Sequence, residues 1–541
     1  MKTKFVLALV CAAVMCCLLP SCGRKQAVGN YRESSPEALE AIGFIPTGDR
    51  IVSKPFTISM VVRKNVMNAS YESMEILREL QRVSGVTLNY TEIPDTSFAQ
   101  QRNLMLASGD VPDVFMTGIT DSEQVRYGPA GLLIPLEGLI KKHAPRIQAL
   151  LDERPEIRRS LITPDGHQYV LPGFEELSFR TNMDNAFINK TWLDKLGLKI
   201  PETTEEFYNV LKAFKANDLN GNGKQDEIPF SFFASGGQTQ FDIYSHYAAF
   251  GEYEYPSHVI VKNGKVYFTA NKPEWRNATN YFRRLYSEGL IDTEAFIHDR
   301  GGYFSKGQNK DTLYGVFMSW FDENTAGTAR AKNEYVMLPP LLGVDGKRHW
   351  NKWPEQLLER FFFAITNKME YPEVAIRFAD LFFDTDYAYQ IKYGPFGVCL
   401  KKDGDRVIQL PPPEGITLDE YRYKNCPAIN VPFSLTAADM ERITLADNAV
   451  RKHQRYLVYS QYFIPDETIY PAVYFLPGEQ EELAMLNIDV RDYVDEMRAK
   501  FIMGIEDINT GWDAYLQRLE RSGLNRYLAI YQAALDRYNR K

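Results

Sequence analysis

Phe56, Ile58, Met60 and Val62 alternate with Thr57, Ser59 and Val61, and this two-residue period predicts a strand. From Glu72 to Val83 the period changes, and Ile76, Leu77, Leu80 and Val83 share one helical face. Alternation returns at Val86, Leu88 and Tyr90. It is followed by a helical segment at about 97–107 and, after Ser108-Gly109-Asp110-Val111-Pro112, a short strand from Asp113 to Met116. Strand and helix repeated in this rhythm predict a mainly parallel sheet flanked by helices. Ligands of such sheets gather outside the carboxyl ends of the strands.

The same α/β rhythm recurs at Asn185 to Gly197, where a strand runs into a short helix. The next helix opens with Thr203 and Glu206 at capping-box spacing, and Phe207, Val210, Leu211 and Phe214 form its apolar stripe. Further helices are predicted at 273–288, 372–389 and through much of 488–536, where Trp512, Tyr515, Leu516 and Leu519 recur at core-packing spacing. Segments 40–110 and 185–230 are both α/β, and 541 residues exceed what one core uses. The expectation is two similar lobes joined more than once.

Ahead of this body stands a leader: Met1-Lys2-Thr3-Lys4, an apolar run from Phe5 to Leu19, then Leu19-Pro20-Ser21-Cys22. The order of basic, apolar and small residues before a cysteine resembles the bacterial lipobox, in which the cysteine is lipidated and becomes the new N-terminus. Residues 1–21 are then the signal peptide and Cys22 the lipidation site. Losing Lys2 and Lys4 takes the net charge from −8 to −10. The polar run 22–52 reads as a tether holding the body off the membrane. Of six cysteines, Cys399 and Cys426 remain in the folded body, and their spacing leaves a disulfide open.

The charge balance, 62 basic against 70 acidic residues, excludes a nucleic-acid binder. The seven histidines show no metal-ligand spacing, and no His-Glu-x-x-His, Ser-x-x-Lys, Gly-x-Ser-x-Gly or phosphate-loop pattern occurs. A carboxylate pair for an exported polysaccharide hydrolase or lyase remains the rival class. Asp384 with Asp386 and Glu481 with Glu482 read as surface charge.

One short segment carries metal chemistry. In Asp218-Leu219-Asn220-Gly221-Asn222-Gly223-Lys224-Gln225-Asp226-Glu227, oxygen side chains fall at alternate positions. Gly223 takes the sixth position, where an EF-hand loop turns sharply, and Lys224 the position of a backbone carbonyl ligand. Pro229 replaces the twelfth-position glutamate, a role Glu227 can fill from a more compact loop. The predicted cofactor is structural calcium.

Taken in order, the lipobox, Ser108–Asp113, Asn189–Gly197, loop 218–227 with Ile228-Pro229, Tyr286–Asp292, Lys500–Gly504 and Trp512–Tyr515 resemble extracellular solute-binding proteins. Within that family they resemble the large lipoprotein members of family 1 that serve ABC importers of oligosaccharides. The resemblance implies an α/β, two-lobed periplasmic-binding-protein-like fold (type II) with a hinge of two or three crossing segments. It also implies a monomer, lipid-anchored on the outer face of the cell membrane, that docks on an ABC transporter permease. Calcium would lie on Asp218, Asn220, Asn222, Lys224, Asp226 and Glu227. The expected division puts 53–180 with about 310–365 in the N-terminal lobe and 181–309 with about 366–541 in the C-terminal lobe.

No motif fixes the sugar contacts. A sugar ring presents an apolar C–H face and a rim of hydroxyls, so aromatic platforms beside polar side chains are the candidates. Trp320 follows an apparent strand, Leu313 to Met318, at a turn with Ser319 and Asp322. Trp350 and Trp353 flank Asn351 and Lys352, and Tyr393 and Phe396 lie in a glycine-bounded loop. Arg63, Lys64 and Arg180 would serve a uronic acid. Trp192, at an amphipathic helix start, reads as core.

Overall fold

The computed structural model describes residues 33–176, 183–234, 241–353, 358–428 and 430–540. Four strands come first: β1 (Phe56–Lys64), β2 (Val86–Pro94), β3 (Val114–Thr117) and β4 (Leu171–Glu175). The chain then builds β5 (Asn185–Asn189), β6 (Ile228–Ser231), β7 (Tyr314–Ser319) and β8 (Tyr335–Met337), and returns with β9 (Leu358–Ile365) and β10 (Phe433–Leu435). One sheet has the order β10-β4-β9-β3-β1-β2 and the other β8-β5-β7-β6. The molecule is thus two-lobed.

Both sheets follow one topological rule. In the first, β1 pairs parallel with β2 and β3, and β10 with β4, while β9 alone runs against its neighbours. In the second, β6 pairs parallel with β7, while β5 runs against both β7 and β8. The reversed strand in each sheet is the one the chain enters from the other lobe. It therefore starts where its neighbours end, and the crossings join the two sheets at their carboxyl ends. That is where a parallel α/β sheet presents its ligand crevice.

Each lobe has its own core. One gathers buried residues from Ile51 to Phe174 and from Phe362 to Ile443, the other from Ala186 to Trp350 and from Tyr459 to Ile530. This corrects the expected boundaries. Segment 310–353 belongs to the second lobe, because β7 is inserted between β5 and β6, with Asn185 opposite Ser319 and Phe230 opposite Val316. Segment 366–446 belongs to the first lobe, where the helices Pro372–Leu381 and Thr385–Tyr393 pack on its core. A third crossing is made by the helix Asp447–Ser460, whose Tyr459 hydroxyl meets Ala186 and Leu338 in the second core.

The tether expectation also changes from residue 33 onward. Ser35 caps a helix at Pro36–Ala41, Phe44 bridges to Val52, and Ile51 and Val52 are fully buried. Two adjacent apolar residues, Ile51 and Val52, were too few to signal a packed arm.

Local signals agree with the elements they predict. Thr203 Oγ1 accepts from Glu206 N at 3.1 Å, and Trp192 is buried edge-on against Phe214. The single helix expected at 372–389 breaks at 382–384, because Asp384 accepts from Asp386 N and Tyr387 N and starts a new helix. No helix among the described residues is long and apolar enough to cross a membrane.

Candidate functional site: the interlobe cleft and a metal loop

The carboxyl end of β1 places Arg63 and Lys64 on the first lobe's rim. Arg63 Nε lies 3.2 Å from Asp95, Arg63 Nη2 donates to Asn430 Oδ1, and Lys64 pairs with Glu92 at 2.5 Å. Glu92 also accepts from Ser70 Oγ and Tyr71 N, and these donors with Lys64 hold its carboxyl below the ordinary range despite partial burial. At the end of β3, Gly118 has φ +92°, and a Cβ there would lie 2.4 Å from Phe98, so the rim turns where only glycine fits.

On the second lobe, Trp320 directly follows the carboxyl end of β7. Its ring is half-buried and stacks on Phe321 with centroids 4.8 Å apart and planes at 21°. Behind this turn, Arg455 forks onto Glu323 at 2.9 and 3.1 Å and also pairs with Asp322. Asp322 and Glu323 share one guanidinium. Burial pushes the Asp322 carboxyl up, while hydrogen bonds from Asp322 and Arg455 hold Glu323 down. Nearby, buried Arg498 forks onto buried Asp242 at 3.2 and 2.6 Å and lies over the Tyr244 ring.

The remaining aromatic candidates lie elsewhere. Trp350 is 1% exposed, stacked 4.6 Å from Tyr459 in the second core, and has no face for a ligand. Trp353 is 3% exposed and donates to Asp184 at 3.0 Å. Tyr393 is buried with its hydroxyl on Glu175, and Phe396 is half-buried against the first core beneath Lys402. Arg180 lies outside the described residues, as does Cys22. Cys399 and Cys426 are buried free thiols, and burial pushes both above the usual thiol range.

Sequence reasoning missed Asp184. Fully buried, it accepts from Trp353 Nε1 and from Ser245 N and Oγ. Burial raises its carboxyl to about 7. Asp184 follows the first crossing and Trp353 precedes the second, so this bond fastens the two together. Asp beside a strand start is too common a pattern to have signalled it.

The candidate metal loop, 218–227, lies away from the crossings, ahead of β6 at that strand's amino end. Asp218 accepts from Gly221, Asn222 and Gly223 amides, and Asp226 from the Asn220 and Asn222 side chains, which hold it below the ordinary range. Gly221 and Gly223 take φ of +75° and +78°. Glu227 is 9% exposed. Its Oε1 accepts from Leu219 N and Asn220 N, while its buried Oε2 has no hydrogen-bond partner. An orphaned carboxylate oxygen among Asp218, Asn220, Asn222 and Asp226 fits a hard cation, which takes six to eight oxygens. Asp311, 3.3 Å from Asn222 Nδ2, adds a carboxylate from outside the loop.

Residues 69–389 match the family model of bacterial extracellular solute-binding proteins. The chain is also 32% identical to the fructooligosaccharide ABC transporter substrate-binding protein FusA of Streptococcus pneumoniae, with 96% of each chain covered. The chain belongs to the bacterial extracellular solute-binding proteins. The solved structure of FusA in complex with kestose matches with a TM-score of 0.74 over 89% of this chain and 99% of that one. An EF-hand mutant of FusA, solved with fructo-nystose, matches equally well, so that relative carries an EF-hand. An HMO-binding, ABC-transporter-associated solute-binding protein from Bifidobacterium longum infantis, 24% identical over 90% of this chain and 99% of its own, shares the fold with a TM-score of 0.76. These relatives are binding proteins rather than enzymes.

Proposed function

We propose that this chain captures an oligosaccharide between its lobes and hands it to the permease of an ABC transporter, and that the cargo is a short neutral oligosaccharide of the fructooligosaccharide class. The observation that carries the reading is the meeting of both sheets' carboxyl ends at the crossings, where the Trp320 ring would serve as platform opposite the polar groups around Arg63. A pyranose or furanose ring lays its C–H face on an aromatic platform and gives its hydroxyls to polar neighbours. Arg63 is engaged by Asp95 and Asn430, which favours an uncharged sugar over a uronic acid.

Cargo that touches both rims does so only when the lobes are shut, so binding shifts the population toward the closed form. Lipidation at Cys22 would keep the body at the outer face of the membrane as a monomer. Calcium on the 218–227 loop would brace the second lobe without touching cargo.

Calorimetric titration of the lipid-free body with 1-kestose and nystose, against alginate oligomers and maltotriose, tests the reading. Saturable binding of a neutral oligosaccharide, recovered unchanged, supports it. Trp320→Ala should weaken that binding at least tenfold. Failure of every sugar to bind, or the appearance of cleaved product, overturns it, the latter in favour of a hydrolase or lyase.

A further inference from the structure

The turn that carries Trp320 is fastened to the hinge at two points. Asn185 Nδ2, just past the first crossing, donates to the Trp320 carbonyl at 2.8 Å. Arg455 comes from the helix Asp447–Ser460, the third crossing, and grips Asp322 and Glu323, the second and third residues after Trp320. The turn is also stiff within itself: Ser319 Oγ donates to Phe321 O at 2.7 Å, and Thr325 Oγ1 to Ser319 Oγ at 3.0 Å. Asp184 with Trp353 closes the set by tying the first crossing to the second.

The placement of Arg455 has a chemical logic. Its guanidinium is 8% exposed, Asp322 is 4% exposed, and its Cζ lies 5.7 Å from the Phe187 ring centroid. Removing charges from water costs several kcal/mol per ion, and a buried ionic cluster is often no more stabilising than apolar packing. What such a cluster does supply is direction: a guanidinium fork accepts carboxylates in one plane and at fixed angles. The fork holds the crossing helix in one orientation relative to the platform turn.

We propose that Arg455 is a positioning residue that locks the Trp320 turn to the third crossing, so that cargo resting on the platform and rotation at the hinge become one event. This rests on the reading that cargo occupies the cleft at Trp320. A displacement of the turn is carried into the crossing helix through two charge-assisted hydrogen bonds. The same fork transmits lobe rotation back to the platform.

The test uses the lipid-free body with Arg455→Met, Arg455→Lys and Trp320→Ala. Without sugar, Arg455→Met should raise amide hydrogen exchange at least tenfold across 319–326. Unchanged exchange there overturns the proposal. With 1-kestose, Arg455→Met should weaken binding at least tenfold and reduce the compaction seen by small-angle scattering at saturation. Arg455→Lys, keeping the charge without the fork, should recover part of both. A merely structural arginine would lower the melting temperature yet leave saturated compaction unchanged, and that result overturns the coupling. If Trp320→Ala leaves binding intact, the cargo reading fails, and the coupling with it. If Trp320→Ala weakens binding but Arg455→Met does not, only the coupling fails. Should Arg455→Met not fold, Glu323→Gln, which removes one carboxylate of the pair, is judged by the same exchange and scattering criteria.

Discussion

Removing divalent cations from the purified protein tests the loop at 218–227 most directly. Without an ion, Glu227 keeps one buried oxygen unsatisfied, a penalty of about 1–3 kcal/mol for such a group. Asp218 and Asp226 then rely on backbone and asparagine amides alone. Calcium would relieve both and would bind only the folded loop. EF-hand-type sensor sites bind with Kd of about 10⁻⁷–10⁻⁵ M. At a free concentration about a thousandfold above Kd, linkage contributes about 4 kcal/mol. At ~2–4 °C per kcal/mol for a lobe of this size, the melting temperature should rise by roughly 10 °C. Differential scanning fluorimetry in excess EDTA against about 1 mM calcium reads the shift, which lies well above the concentrations such loops need. Asp226→Ala should abolish it. Equal melting temperatures with and without chelator, or an undiminished shift in Asp226→Ala, would refute the assignment.

Arg498→Met should cost about 3–5 kcal/mol in urea denaturation, because it strands the buried Asp242 carboxylate, and adding Asp242→Asn should recover part of the loss. Burial raises Asp184 and Glu252 to about 7, so the folded state keeps protons the unfolded chain releases near pH 4. Stability from each is complete below pH 4 and lost as pH rises through 7. His246, lowered to about 4 by burial, opposes this only below about 6.5. Denaturation midpoints should therefore fall between about pH 6.5 and 8, and Glu252→Gln should flatten that slope. Cys22→Ser should move the protein from the membrane fraction to the soluble fraction on cell fractionation, as an immunoblot would read.

Much of the first lobe was legible because its strands and helices carry clean periods: β1, β2 and β3 fall at 56–64, 86–94 and 114–117, close to where alternation put them. The division between lobes was not legible. Nothing in the pattern around Leu313 to Met318 states that this strand pairs with Asn185–Ile188 rather than with the first sheet, since pairing is a long-range choice. The turn at 218–227 was legible as a candidate cation loop because its oxygens and glycines all lie within one short segment. Trp350 and Trp353 misled for the opposite reason. A polar connection containing Asn351 and Lys352 looks exposed in sequence. In the fold, Asn351 is buried and donates to the Glu254 carbonyl, which draws both indoles inside.

The reversed strand β9 lies between β3 and β4, yet it is made more than 180 residues after β4 ends. Until ribosomes have produced that segment, the first four strands cannot close into a sheet, because the middle of it is missing. The N-terminal stretch up to the first crossing is therefore not an autonomous folding unit, and a proteolytic fragment ending at 177–182 should not survive on its own. A nascent chain that cannot complete its core early also stays unfolded long enough to be threaded through an export channel.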